Sequence, residues 1–123
     1  MSNSVPSDGL THLRVTLDET AYIGPGRADL LELIDSTGSI SAAGKAMGMS
    51  YKRAWGLVQA LNEGFGQPLV ESSRGGASQG GAQLTEAGQL VLAHYRAMQD
   101  KTRQAIADDV AALRRKFDMS ERK

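Results

Sequence analysis

From Thr85 to Phe117 the chain carries one uninterrupted helical pattern, with no proline anywhere in it and no glycine after Gly88. Apolar or small residues recur along it at Leu84, Ala87, Val91, Tyr95, Met98, Thr102, Ala105, Asp109/Val110, Leu113 and Phe117. Steps of three and four are the spacing of a helix–helix seam. A helix this long cannot bury its whole stripe on a domain of roughly sixty residues, so the surplus asks for a partner, and the simplest partner is a second copy. The expected dimer seam is Val91, Tyr95, Met98, Thr102, Ala105, Val110, Leu113 and Phe117.

The segment before this helix changes period several times. Residues 1–10 are small and polar and read as a disordered lead-in. Leu13, Val15 and Leu17 then alternate with polar residues, the period-two pattern of a half-buried strand. Glu19 to Gly26 reads as a loop. From Arg27 the stripe Leu30, Leu31, Leu33 and Ile34 predicts a helix closed by Gly38. Ser39 is placed to cap a second, short helix carrying Ile40, Ala43, Ala46 and Met47, which ends at Gly48. Ser50 caps a third, with Ala54, Leu57, Val58 and Leu61 inward, and Gly64 is expected to stop it.

A short helix, a tight turn with glycine and a longer helix form the pattern of a helix-turn-helix, although plain helical bundles use the same hairpin. The residues after the third helix favour the former. Two short strand patterns, Pro68–Glu71 and Gln83–Thr85, flank a glycine-rich tip with no large apolar residue of its own. That arrangement makes a wing, with a disordered linker as its competitor. The predicted fold is mainly α with a small β wing: a winged helix-turn-helix over residues 11–84, a long dimerisation helix over 85–118, and a tail over 119–123.

Composition narrows the function. The 123 residues suit a single domain, and its formal net charge of zero gives no bulk signal for nucleic acid. There is no cysteine, which excludes disulfides, thiolate metal sites and cysteine nucleophiles. No apolar run is long enough for a signal peptide or a membrane span, so a soluble, cytoplasmic protein is expected. His12 and His94 lack metal-ligand spacing, and Ser72 and Ser73 have no obligatory base nearby. The tip's glycines lack the Lys-Ser/Thr and following helix of a phosphate loop. No catalytic residue, metal site or cofactor is expected.

Charge placement matters more than charge total. Between residues 36 and 84 the cations are Lys45, Lys52, Arg53 and Arg74, against Glu63 and Glu71. The first turn of the third helix reads Ser50-Tyr51-Lys52-Arg53. Free backbone donors and the dipole at such a helix start favour phosphate, and its side chains reach base edges in the major groove. With Ala54, Val58 and Leu61 inward, Tyr51, Lys52, Trp55 and Gln59 face outward, while an ordinary solvated helix face is the competing interpretation. For Trp55 a packing role under the wing is favoured over base contact. Met47 and Met49 read as core fillers.

The stretch Ser39-Ile40-Ser41-Ala42-Ala43-Gly44-Lys45-Ala46-Met47-Gly48-Met49-Ser50 resembles the helix-turn-helix of LysR-type regulators. Leu84-Thr85-Glu86-Ala87-Gly88 resembles the passage from that family's wing into its linker helix. Ser50-Tyr51-Lys52-Arg53-Ala54-Trp55 and the wing from Arg74 to Ala82 are similar, more narrowly, to the N-terminal domain of ModE-type molybdate-responsive repressors. Gly24-Pro25-Gly26-Arg27 and the strand at 13–18 are similar too. The resemblance implies a homodimeric, sequence-specific transcriptional regulator on double-stranded DNA, with repression as the expected sense. Ser39, Ser41, Lys45, Ser50, Tyr51, Lys52, Arg53, Trp55 and Gln59, with Arg74, Gly75 and Gly76 of the wing, are the implied DNA-binding residues. ModE-type sensors carry C-terminal oxyanion-binding domains that these 123 residues do not include, so molybdate binding by this chain alone is not expected. The alternative is a winged-helix protein-interaction module, which an even charge distribution around the wing and third helix would favour.

Overall fold

The computed structural model describes residues 9–72 and 81–118. Residues 1–8 of the expected lead-in, the wing tip with Arg74, Gly75 and Gly76, and the tail over 119–123 lie outside them. Strands β1 (Val15–Thr16) and β2 (Tyr22–Ile23) precede three helices, α1 (Pro25–Thr37), α2 (Ile40–Ala46) and α3 (Tyr51–Phe65). Strands β3 (Val70–Ser72) and β4 (Ala82–Leu84) come next, and α4 (Glu86–Lys116) completes the order. The fold is a winged helix-turn-helix with a long C-terminal helix, as the periodicity predicts.

The segment expected as a loop contains β2, which pairs antiparallel with β1 in the register Val15↔Ile23 and Thr16↔Tyr22. Two residues are too short for an alternation to show. The hairpin instead depends on its turn, where the Asp18 carboxylate accepts hydrogen bonds from the backbone N–H of Thr20 and Ala21 at 3.0 and 2.8 Å. The amides of Ala21 and Thr20 hold the Asp18 carboxyl below the usual carboxylate range. Helix α1 likewise starts earlier than expected, with Pro25 in its first turn, where the missing N–H costs nothing. Gly38 ends it with φ of 73°.

Helix α3 runs through Gly64 and ends at Gly66, which takes the left-handed conformation with φ of 74°. Gly64 has a packing role instead, because a Cβ there would lie 2.5 Å from the Thr20 carbonyl oxygen. Asn62, one turn before the end of α3, accepts from the N–H of Leu69 at 2.8 Å and so ties the helix to the base of the wing. The wing strands pair as Val70↔Leu84, Glu71↔Gln83 and Ser72↔Ala82. The Ala82 N–H donates to the Gly38 carbonyl at 2.9 Å, which fastens the wing to the end of α1.

The core collects Ile23, Leu30, Leu31, Ile34, Ala43, Ala54, Val58, Leu61, Leu69, Leu84 and Tyr95. Met47 and Met49 pack partly buried against it, as core fillers should. Helix α4 enters this core only through its first half. Gly88, Tyr95 and Gln99 are its buried residues, and none is buried from Asp100 to Lys116. Gly9 and Leu10, expected in the lead-in, are half-buried, and a Cβ built on Gly9 would lie 3.2 Å from Val110 Cγ1. Among the described residues no helix is long and apolar enough to cross a membrane.

Thr85 starts α4 by accepting from the Gly88 N–H at 3.0 Å while its own hydroxyl donates to the Pro68 carbonyl at 2.8 Å. Gly88 then packs against Leu69, the residue before β3, where any Cβ would be driven into the Leu69 carbonyl oxygen. Gly56, in the middle of α3, has open space around it. Gly88→Ala is therefore expected to destabilise the fold by about 1–3 kcal/mol, the usual cost of overpacking. Gly56→Ala should stabilise it by about 0.4–1 kcal/mol. Urea unfolding followed by circular dichroism measures both, and equal shifts in the two variants would contradict the packing described.

Candidate nucleic-acid interface

Small residues let α2 and α3 approach closely enough to act as one unit. Gly44 is buried at their crossing, where a Cβ would meet the Ala54 Cβ at 2.8 Å, so no larger residue fits without separating the pair. The turn between them needs Gly48, whose φ is 73°. Both helix starts are capped as expected. Ser39 Oγ accepts from the Ala42 N–H at 3.0 Å, and Ser50 Oγ accepts from the Arg53 N–H at 3.1 Å. The Ser50 cap defines where α3 begins and therefore which side chains project from its first turn.

Those side chains face solvent. Tyr51 is 55% exposed and Trp55 46% exposed, and Lys52, Arg53 and Gly56 are exposed with them. Gln59, one turn further on, is half-buried. On the preceding helix Ser41 and Lys45 are exposed, while Ser39 is half-buried and pairs as an isolated bridge with Gly81 of the wing. Trp55 stands on the open face of α3 with Tyr51 and Lys52; the structure leaves nearly half of it exposed, so it is not held in the core. Among the described residues, no carboxylate forms an ion pair with Lys45, Lys52 or Arg53.

Two acids of α1 and one of the wing are engaged away from α3. Asp29 and Glu32 on α1 meet Arg96 of α4, at 2.9 and 2.6 Å from its Nη2. Glu71 accepts from Gln83 Nε2 at 3.2 Å across the wing. Two carboxylates of α1 thus pair with an arginine on the long helix, while the cations at the head of α3 form no ion pair among the described residues.

The expected dimer seam divides. Tyr95 is fully buried inside its own chain, and its phenol donates to the Leu13 carbonyl at 2.7 Å, so it cannot belong to a surface seam. Burial pushes the phenol above its ordinary pKa. The periodicity is right there, but its stripe faces the domain first. Val91 and Met98 pack partly on the same core, and Thr102 and Val110 are half-buried. Ala105 is exposed, and Leu113 and Phe117 are 60% and 55% exposed. An apolar groove of about 370 Å³ lined by Leu17, Ile23, Phe65, Leu90, Val91 and Met98 has no signature in the sequence, because these residues come from separate elements. A cavity of about 260 Å³ flanked by Arg14, Arg27 and Arg53 is equally absent from the sequence pattern. Among the described residues no group of three His, Cys, Asp or Glu side chains is placed to hold a metal ion.

This architecture is a winged-helix DNA-binding fold of the kind regulators use. Residues 27–89, just over half of the chain, match the bacterial regulatory helix-turn-helix proteins of the lysR family. The chain belongs to that family. It is 45% identical over 93 residues to the molybdenum-pterin-binding protein MopB of Rhodobacter capsulatus, covering 75% of this chain and 34% of that protein. It is 36% identical over 102 residues to the DNA-binding transcriptional dual regulator ModE of Escherichia coli (strain K12), covering 80% of this chain and 39% of that protein. The chain thus spans little more than a third of the length of these relatives. Among solved structures, the CbnR DNA-binding domain in complex with DNA is similar with a TM-score of 0.57 and 25% identity, over 72% of this chain and 97% of that one.

The caps can be tested apart from any ligand. Ser50→Ala is expected to cost about 1 kcal/mol of stability, whereas Ser50→Asp, which can accept the same N–H, should retain it. Thermal unfolding of the two variants measures the difference, and a loss of equal size in both would mean that the cap is not what starts α3.

Proposed function

We propose that this chain is the DNA-binding part of a homodimeric transcriptional repressor that sets α3 into the major groove of a two-fold-related operator. One observation carries the reading: the capped first turn of α3 presents Tyr51, Lys52 and Arg53 to solvent, with no carboxylate partner among the described residues. In this reading Lys52 and Arg53 donate to base edges or phosphates, Tyr51 and Trp55 lie along the groove wall, and Gln59 reaches further along the same helix. Ser39 at the cap of α2, with Ser41 and Lys45 on the helix, contacts the backbone of one strand, and Arg74, Gly75 and Gly76 of the wing reach the flanking groove.

Two copies are needed for such an operator, and exposed apolar surface on α4 supports that pairing. Leu113 and Phe117 stand exposed near one end of the helix, while the groove beside Leu90 and Val91 lies near the other. Those two positions are about 35 Å apart at 1.5 Å per residue. Two helices running antiparallel about a two-fold axis would bring each exposed end onto the partner's groove. The name of one relative, the molybdenum transport protein ModE of Azotobacter vinelandii, supplies the candidate targets, genes for molybdenum transport. The protein acts in this reading without catalysis, in the cytoplasm where its DNA is.

Lys52→Ala and Arg53→Ala are each expected to weaken binding to a selected duplex by on the order of 1–3 kcal/mol if they read a base. The parent's affinity should also fall steeply with salt through its phosphate contacts. Fluorescence anisotropy against selected and random duplexes makes the measurement. If both variants bind both duplexes as the parent does, α3 is not the recognition helix, and the chain's exposed faces serve a protein partner instead.

A further inference from the structure

Beside the head of α3 lies a cavity of about 260 Å³ whose charged lining is entirely cationic: Arg14 before β1, Arg27 in the first turn of α1, and Arg53 of α3, with His12 at its edge. Three guanidinium groups around one small space repel one another, and among the described residues no carboxylate forms an ion pair with any of them. Tyr22 holds two of them in place. The Arg14 guanidinium carbon stands 3.7 Å from the ring centroid and that of Arg27 stands 3.8 Å from it. A cation over a ring face keeps its charge, and guanidinium N–H groups not turned to the ring can donate to an oxyanion. The Arg27 Nε is buried and has no hydrogen-bond partner, while its Nη1 makes only a long 3.4 Å contact to the Tyr22 carbonyl. Three guanidinium groups around one small space, none of them in an ion pair among the described residues, are an arrangement that an anion completes.

We propose that this cavity is a site for one phosphate-like oxyanion and that the DNA backbone supplies it, which rests on the DNA-binding reading above. Arg53 ties the two together. It belongs both to the first turn of α3 and to the wall of the cavity, so a strand running along α3 passes the cavity mouth. The β1–β2 hairpin and the start of α1 then act as a phosphate clamp that extends the footprint beyond the helix-turn-helix. Contacts of this kind set register and carry no sequence information. The clamp therefore adds affinity and salt dependence equally on every sequence.

The test uses Arg14→Gln and Gly26→Asp. Gly26 lines the cavity and has open space around it, and an acid in the first turn of α1 favours the helix, so this second variant folds while putting a negative charge where the anion would sit. Gly26→Ala separates the charge from backbone stiffening. Anisotropy is measured against salt on a duplex selected from random fragments and on an unselected duplex. Arg14→Gln should weaken both by the same factor and reduce the slope of log affinity against log salt by about one, leaving the selectivity ratio unchanged. Gly26→Asp should weaken both further.

In parallel, inorganic phosphate and sulfate are titrated into the protein without DNA, and the backbone amide signals of Gly26 and Arg27 are monitored. A changed salt slope with no saturable shift assigns the site to the DNA backbone. A saturable shift that Gly26→Asp abolishes, with the slope unchanged, keeps the oxyanion site and assigns it to a free ion. Unchanged slopes together with no saturable shift overturn the proposal. Should the parent bind no DNA at all, the DNA-binding reading fails by itself, and the phosphate titration still decides whether the cavity holds an oxyanion.

Discussion

Tyr95 joins parts of the chain that lie 82 residues apart. Its ring is fully buried on the first half of α4, and its phenol donates to the Leu13 carbonyl at the start of the N-terminal hairpin. One residue later Arg96 reaches the two α1 carboxylates, and two turns earlier Gly88 lies against the base of the wing. Those three anchors fix the long helix to the helix-turn-helix as one rigid element. The positions of α3 and of the far end of α4 are then mechanically linked. A protein that needs two recognition helices at a set separation on DNA needs such a link, because any freedom at the junction would blur the spacing between half-sites.

A formal charge of zero is compatible with a nucleic-acid surface when the charges are sorted. Here Arg96 pairs with Asp29 and Glu32, and Glu71 is held by Gln83 across the wing. Lys45, Lys52 and Arg53 remain exposed, and Arg14 and Arg27 converge with Arg53 on one cavity. Surface ion pairs of this sort contribute little to stability, so the pairing of the acids matters more for where the field is positive than for how tightly the chain folds. Local potential, and not the sum over the chain, governs what approaches α3.

How much of this was legible in the sequence depends on the range of the interaction. Caps and turns are local, and Ser39, Gly48 and Ser50 announced the helix-turn-helix because each acts within four residues of itself. The exposed face of α3 came from placing Ala54, Val58 and Leu61 inward. Gly64 misled because a glycine near a helix end suggests a stop, whereas here it makes room for the Thr20 carbonyl of a distant loop. Tyr95 misled for a related reason: its place in the stripe is correct, but periodicity gives a face and cannot say whether the neighbour is the same chain or another. The hairpin strand β2 was too short to show a pattern. The arginine cavity was invisible because Arg14, Arg27 and Arg53 come from three separate parts of the chain, brought together only by the fold and by the Tyr22 ring.

If two copies present two α3 helices to one face of a duplex, guanine N7 atoms beneath them are shielded, because that atom lies in the major groove. Protection of guanine N7 from methylation is therefore the most direct measurement. The expected result is two protected tracts related by two-fold symmetry, with centres about 10 base pairs apart or a multiple of that spacing. A single tract, or a selected duplex bound with every guanine N7 still reactive, would contradict it.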